Sequence, residues 1–107
     1  MNRVCLIGNL TKAVEVRYTP KGMAMTTFTL AVRRETKKED GTYDCDFINC
    51  VAYRTQAESL GKYLDKGSMI SVEGRIQTGS YEKDGRKIYT TDIIVDKIQF
   101  LNSKKEG

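Results

Sequence analysis

The sequence predicts a small all-β domain with a single helix. Most of the chain alternates between apolar and polar residues or forms short apolar runs, which are patterns of β-strands. Only one segment, after residue 54, spaces its apolar residues as a helix does. A length of 107 residues fits one domain with its own hydrophobic core. No apolar run approaches the ~20 residues that a membrane-spanning helix needs, so we expect a cytoplasmic protein that contacts no membrane.

Three predicted strands occupy the first half of the chain. The apolar run over residues 4–8 is typical of a buried strand, and period-two alternation predicts a second strand over residues 23–33. A third strand is predicted over residues 43–53. Turn-forming residues at 19–22 and 37–42 precede the second and third strands, and the latter turn is expected to close a charged hairpin.

The two faces of the third predicted strand differ in chemistry. One face is apolar and is expected to join the core: Ile48, Cys50 and Ala52. The opposite face mixes two aromatic rings with an amide: Phe47, Asn49, Val51 and Tyr53. Either ring alone would be an ordinary core residue, but both share their face with an amide and lie opposite an apolar face. The second face is therefore predicted to bind a ligand.

A helix is predicted directly after the third strand. Residues 55–58 fit a capping box, in which a threonine hydroxyl and a glutamate carboxylate satisfy free amides at a helix start. Ala57, Leu60 and Leu64 follow at helical spacing, and Gly67 provides a stop. We expect about three turns that close one end of the fold.

The last two predicted strands cover residues 69–81 and 88–100, joined by a turn at residues 83–86. Alternation assigns these side chains to the core: Ile70, Val72, Ile76, Ile94, Ile98 and Phe100. Thirteen extended residues span roughly 40 Å, which exceeds the usual strand, so part of this hairpin must project as a basic arm.

Three strands, a helix and two strands form the order of an OB-fold, a five-stranded Greek-key barrel with its helix between the third and fourth strands. Residues 1–101 are predicted to form this domain, with projecting hairpin arms, and residues 102–107 a short polar tail. OB-folds commonly bind oligomers across the second and third strands and between the 1–2 and 4–5 loops.

Composition narrows the function. The chain contains no histidine, which removes the commonest general base and metal ligand, and we expect neither an enzyme nor a cofactor nor a metal. Three cysteines exclude a closed set of disulfides, so reduced, structural thiols are expected. The net charge of +4 and the six basic groups against one acid in residues 1–34 favour a polyanionic partner.

Several blocks of the sequence closely resemble the bacterial and phage single-stranded-DNA-binding proteins. The blocks are NRVCLIGNLT (2–11), VRYTPKG (16–22), FTLAVRR (28–34), DFINCVAYR (46–54), YLDKGS (63–68) and VEGRIQTGSY (72–81). The resemblance extends through residue 100. It implies an OB-fold homotetramer that wraps single-stranded DNA, without strong sequence preference, during replication, recombination or repair.

The resemblance also implies stacking positions for unpaired bases. Matching positions place base-stacking rings at Phe47, Tyr53 and Tyr81, while a fourth position falls at about Thr36, which is not aromatic. Tyr89 is added because it lies on the predicted arm. The candidate phosphate contacts are Arg3, Arg33, Arg34, Arg54, Lys62, Lys66, Arg75, Lys83, Arg86 and Lys87.

Other interpretations of single residues favour structure. Tyr63 is expected to pack within the helix, while Tyr18 and Tyr43 stay unassigned. A cation site is the weaker interpretation of the acidic cluster, and a solvated hairpin the stronger; the cluster comprises Glu39, Asp40, Asp44 and Asp46.

Family members often carry a flexible acidic tip that recruits repair enzymes. Residues 102–107 hold two bases and one acid, so recruitment through such a tip is not expected for this chain. The chain is either a variant without that tail or a piece that ends after the barrel. Two alternative functions remain: a protein-interaction module similar to primosomal replication proteins, and a small nucleotide-processing or metal-dependent enzyme.

Overall fold

A computed structural model describes residues 1–101, and the predicted polar tail at residues 102–107 lies outside the described residues. Residues 1–101 form a closed barrel of strands with one helix. The elements in order are β1 (Val4–Leu10), β2 (Arg17–Tyr18), β3 (Ala24–Lys37), β4 (Tyr43–Tyr53), α1 (Arg54–Tyr63), β5 (Met69–Lys83) and β6 (Arg86–Phe100). The two-residue strand β2 is an addition that the sequence did not predict.

Pairing between β1 and β3 closes the barrel. The sheet runs β1-β5-β6-β4-β3-β2, and the extra β1–β3 contact joins Asn9 to Ala31 and Leu10 to Leu30. All neighbouring strands are antiparallel except β4 and β6, which pair in parallel. With α1 between the third and fourth long strands, this is the five-stranded Greek-key barrel of an OB-fold, as predicted.

The core forms where the inward sides of the strands meet the helix. Phe28 and Leu30 of β3, Cys50 and Ala52 of β4, and Leu60 of α1 are all buried within one cluster. Period-two alternation predicted the inward side of β4 correctly, because the strand has one face in the core. The same alternation leaves the odd-numbered residues of β4 on the outer surface.

The predicted capping box is absent. The helix begins at Arg54, directly after β4, and Tyr53 is its N-cap without a side-chain hydrogen bond. Thr55 therefore already lies inside the helix and cannot act as the cap. Arg54 adopts a left-handed backbone with φ of 61°, which turns the chain from strand to helix without a linker. The helical assignment itself is confirmed, although Leu64 is the C-cap rather than a helical residue.

A β-bulge changes the predicted inward side of β6. The register steps from Glu73–Lys97 to Gly74–Val95, so Asp96 is an extra residue. As a result Val95 and Ile93 belong to the core cluster, whereas Ile94 is buried outside it.

Two other predicted core positions differ as well. Ile76 is 43% exposed because it lies where the hairpin leaves the barrel, and Phe100 is 39% exposed at the end of β6. Ile70 and Val72 are fully buried and Ile98 packs against the core, as predicted.

Two hairpin arms extend from the barrel. In the β3–β4 arm (residues 33–47) and the β5–β6 arm (residues 75–94), most side chains are exposed while the strands stay paired. The β5–β6 ladder continues to Lys83 and Arg86 at its tip. The turn at Asp40 and Gly41 is also confirmed, with Gly41 at φ of 89° and the Asp40 carboxylate accepting hydrogen bonds from Thr42.

Candidate nucleic-acid interface

The outer face of β4 carries exposed aromatic rings on a rigid sheet. Phe47 is 67% exposed and Tyr53 is 36% exposed, and alternation places both on the same face. Ala31 of β3 lies opposite Phe47, and Met25 lies opposite Tyr53. These neighbours are one small and one flexible side chain, and both rings keep part of their surface exposed. We call this surface, carried by Phe47, Asn49, Val51 and Tyr53, the platform face.

A groove of about 480 Å³ lies beside the middle of β3 and β4. Polar side chains from β3, β4, β6 and the segment between β1 and β3 line it: Lys12, Glu15, Arg17, Thr26, Thr27, Thr29, Asn49 and Asp92. Thr29 Oγ1 lies 3.1 Å from Asn49 Oδ1. The Thr29 hydroxyl donates this hydrogen bond to the carbonyl oxygen of the Asn49 side chain, so the Asn49 amide nitrogen points away from Thr29. The groove can accept hydrogen-bonding groups beside stacked rings.

Lys12 and Arg17 are functional candidates that the sequence analysis missed. Both line the groove from the segment between β1 and β3. Arg17 also lies opposite Met25 in the β2–β3 register. The signal was present, because the 1–2 loop of an OB-fold is a common binding position, but neither residue was selected.

The rings of the β5–β6 arm lie on two different faces. Pairing of Arg75 with Ile94, and of Ile94 with Val51, continues the platform face onto β5. Alternation then places Tyr81, which is 53% exposed, on that face. Tyr89 is 75% exposed, but it pairs with Ser80 and so lies on the opposite face of the arm from Tyr81. The structure thus brings Tyr81, but not Tyr89, onto the face of Phe47.

Predicted phosphate contacts differ in their existing partners. Arg3 forms an ion pair with Glu73, and Arg34 forms one with Asp46 at 2.8 Å. The hydrogen bond from Arg34 lowers the pKa of the Asp46 carboxyl and raises that of the guanidinium itself. These two arginines are already neutralised within the chain.

The other predicted phosphate contacts form no ion pair within residues 1–101, and they are dispersed over the molecule. Arg75 donates a hydrogen bond to Gln77 at 2.8 Å, and Lys87 lies 5.9 Å from the centre of the Tyr89 ring. The remaining exposed cations lie on the β3–β4 arm, around the helix, or at the tip of the β5–β6 arm: Arg33, Arg54, Lys62, Lys66, Lys83 and Arg86. Those around the helix are the most distant in sequence from either arm tip.

Thr36 falls at about the fourth stacking position that the resemblance implies but is not aromatic, and Tyr63 was expected to pack within the helix. Thr36 is exposed within the irregular register between Arg33 and Lys37. Tyr63 lies at the end of α1, its ring centre 6.5 Å from that of Phe100. It is 46% exposed, so it packs only on one side.

The cysteines differ in exposure. Cys5 and Cys45 are exposed and Cys50 is buried, and all three are free thiols. Burial, with a smaller contribution from the charge of Asp92, raises the pKa of Cys50 to about 12. Within the described part of the chain, no three His, Cys, Asp or Glu side chains cluster closely enough to hold a metal ion. Nor does any described helix have the length and apolar character to span a membrane.

Comparison with known proteins agrees with this geometry. The single-strand binding protein family matches residues 1–101. Single-stranded DNA-binding protein 3 of Listeria innocua is 51% identical over the whole chain, which spans 68% of that relative. The single-stranded DNA-binding protein of Bacillus cereus is 49% identical and single-stranded DNA-binding protein A of Bacillus subtilis 47% identical; the whole chain again aligns, spanning 64% and 63% of their lengths. The chain belongs to the single-strand binding protein family.

Proposed function

We propose that this chain binds single-stranded DNA without strong sequence preference and protects it during replication, recombination or repair. The observation that carries the proposal is the platform face, on which Phe47 and Tyr53 expose their rings from a rigid strand. Every unpaired base offers a flat face to such rings, whereas paired bases are stacked inside a duplex. The relatives named above, single-stranded DNA-binding proteins, support the same conclusion.

The proposed mechanism combines stacking with charge. Bases stack on Phe47, Tyr53 and Tyr81, while Lys12 and Arg17 at the groove hold phosphates. Exposed arm cations such as those at the β5–β6 tip extend the path of the backbone. No bond is made or broken in this mechanism, and it needs neither a cofactor nor a metal.

Binding is tested with two ring deletions and one matched control. Phe47→Ala and Tyr53→Ala are each expected to weaken binding to oligo-dT by about 1 to 3 kcal/mol, because each removes one stacking surface. Tyr63→Ala removes an equally large ring away from the platform face, next to Phe100. It should keep wild-type affinity and lower the melting temperature instead. Fluorescence anisotropy at fixed salt measures the affinities.

Two results would contradict this proposal. One is equal affinity of the Phe47 and Tyr53 variants and the wild type for oligo-dT. The other is equal affinity of the wild type for duplex and single-stranded DNA at the same salt concentration. A protein-interaction module on the same barrel has no need for exposed rings on β4, and the platform face therefore does not favour that alternative.

We also propose that the chain assembles as a homotetramer in the cytoplasm. Apolar side chains on the outer surface of β1 and β5 support self-association, since Ile7 is 57% exposed and Met69 is 38% exposed. Register places Met69 opposite Asn9 and so on the same face as Ile7. Light scattering with and without long oligo-dT reports the subunit number, and a monomer under both conditions would contradict the assembly.

A further inference from the structure

The β3–β4 arm continues the platform face beyond Phe47. Alternation along β4 places Tyr43, Cys45 and Phe47 on one face. The β3–β4 register pairs Arg33 directly with Cys45, so Arg33 shares that face. Cys45 is small, and its exposed side chain leaves room between Arg33 and the Phe47 ring.

Charges on this arm are divided between its two faces. The face opposite Phe47 carries two ion pairs, Arg34–Asp46 at 2.8 Å and Lys38–Asp44 at 3.3 Å. Arg33, in contrast, has no acidic partner among residues 1–101. The arm therefore neutralises its cations on one face and keeps a free guanidinium on the face that carries the aromatic rings.

The Arg33 guanidinium is held by an aromatic ring. Its Cζ atom lies 4.5 Å from the centre of the Tyr43 ring, within the range of a cation–π contact. Arg33 is exposed and Tyr43 is half-buried, so the side of the guanidinium away from the ring faces solvent. Planar guanidinium groups stack on nucleobases as aromatic rings do, and a lysine ammonium has no such plane.

We propose that Arg33, supported by Tyr43, is a further base-binding element on the β3–β4 arm. An unpaired base stacks on the solvent side of the Arg33 guanidinium, while Tyr43 holds the other side. Tyr43 and Phe47 are four residues apart along β4, which corresponds to about 13 Å. A strand stacked on Phe47 can therefore continue along the same face to Arg33. The inference rests on the proposed single-stranded DNA binding and adds Arg33 and Tyr43 to that site.

Three variants separate stacking from charge. Arg33→Lys keeps the positive charge and removes the plane. Tyr43→Thr removes the support with a residue that favours strands, so the arm keeps its local preference. Lys38→Gln is the matched control, because it removes one positive charge from the opposite face of the same arm. Each protein is titrated with labelled oligo-dT and with an abasic deoxyribose-phosphate chain of the same length.

We expect Arg33→Lys and Tyr43→Thr each to weaken binding to oligo-dT by about fivefold or more. The conservative Tyr43→Phe replacement should restore the affinity that Tyr43→Thr loses. On the abasic chain, Arg33→Lys and Tyr43→Thr should stay within about twofold of the wild type, because the phosphate contacts are kept. Lys38→Gln should match the wild type on oligo-dT.

Three outcomes overturn the inference. Wild-type affinity of Arg33→Lys for oligo-dT would show that charge alone matters. Equal losses on oligo-dT and the abasic chain would assign Arg33 to phosphate or indicate a damaged arm. If Lys38→Gln loses as much affinity as Tyr43→Thr, the loss is not specific to the face that carries Arg33 and Tyr43. Failure of the wild type to bind oligo-dT would instead overturn the proposed function itself.

Discussion

The junction between β4 and α1 depends on a strained residue whose backbone and side chain have separable roles. Arg54 has φ of 61°, while Tyr53 before it is extended at φ of −128° and ψ of 156°. The left-handed conformation costs an L-residue roughly 1 to 2 kcal/mol, and glycine avoids that cost. The Arg54 side chain is also the cation adjacent in sequence to the Tyr53 ring.

Two substitutions at this position isolate the backbone term. Arg54→Gly and Arg54→Ala both remove the guanidinium and its 3.3 Å contact from Nε to the Met23 sulfur. Only glycine relieves the strain. Glycine also loses more backbone entropy on folding than alanine, which offsets roughly 0.5 to 1 kcal/mol of that gain. We expect the glycine variant to be more stable than the alanine variant by about 1 kcal/mol, which corresponds to roughly 4 to 8 °C in melting temperature for a domain of this size.

The same two variants should bind single-stranded DNA equally. Each removes one cation, so the log–log dependence of affinity on salt should become shallower by about 0.7 if Arg54 contacts one phosphate. Urea denaturation and anisotropy titrations at several salt concentrations measure the two effects. An alanine variant as stable as the glycine variant would refute the strained junction, and an unchanged salt slope would remove Arg54 from the phosphate contacts.

Two further predictions concern the core of the barrel. Gly74→Ala should destabilise the fold by about 2 kcal/mol or more in urea denaturation, because a Cβ there would lie 2.1 Å from the Ile94 carbonyl oxygen; a smaller loss would mean that the bulge can relax. At pH 8, a thiol reagent should modify the two exposed cysteines quickly and Cys50 slowly, because the thiolate is the reactive form and burial raises the pKa of Cys50 to about 12. Since an unfolded thiol ionises from about pH 8.5, this group makes the free energy of unfolding fall as pH rises from there toward the folded pKa. The Cys50→Ala variant should lack this contribution to the pH dependence of the free energy of unfolding. If that free energy falls equally steeply with pH in both proteins, the prediction is wrong.

The platform face was predictable because its signal is local. Whether Phe47 and Tyr53 face outward depends only on alternation along one strand and on the apolar character of Ile48, Cys50 and Ala52. No knowledge of the partner strands is needed for that assignment. The long β5–β6 hairpin was predictable for a similar reason, since its length alone exceeds what a barrel of this size can contain.

The bulge and the helix start were not predictable from local patterns. Asp96 is the extra residue in β6; regular alternation would place its carboxylate on the core side between Ile94 and Ile98, which signals a break in the pattern but does not locate the inserted residue. That single insertion reverses the alternation, so Val95 rather than Ile94 joins the core cluster. The capping-box pattern at residues 55–58 is not used, because the helix already begins at Arg54, directly after β4. The start of the helix follows from the packing of α1 against β3 and β4, which the local sequence does not contain.

Cation partners depend on strand register, and this determines how much each basic residue contributes to binding a polyanion. Arg34 meets Asp46 only because β3 and β4 pair in this register. A phosphate that binds Arg34 must displace that carboxylate or share the guanidinium with it, so one anion replaces another and the net gain is small. Lys83 and Arg86 lie opposite each other at the arm tip. When they bind phosphates, no carboxylate has to be displaced and only counterions are released. The favourable electrostatic free energy should therefore arise mainly from unpaired cations on the arms and around the groove, and the net charge of the chain says little about it.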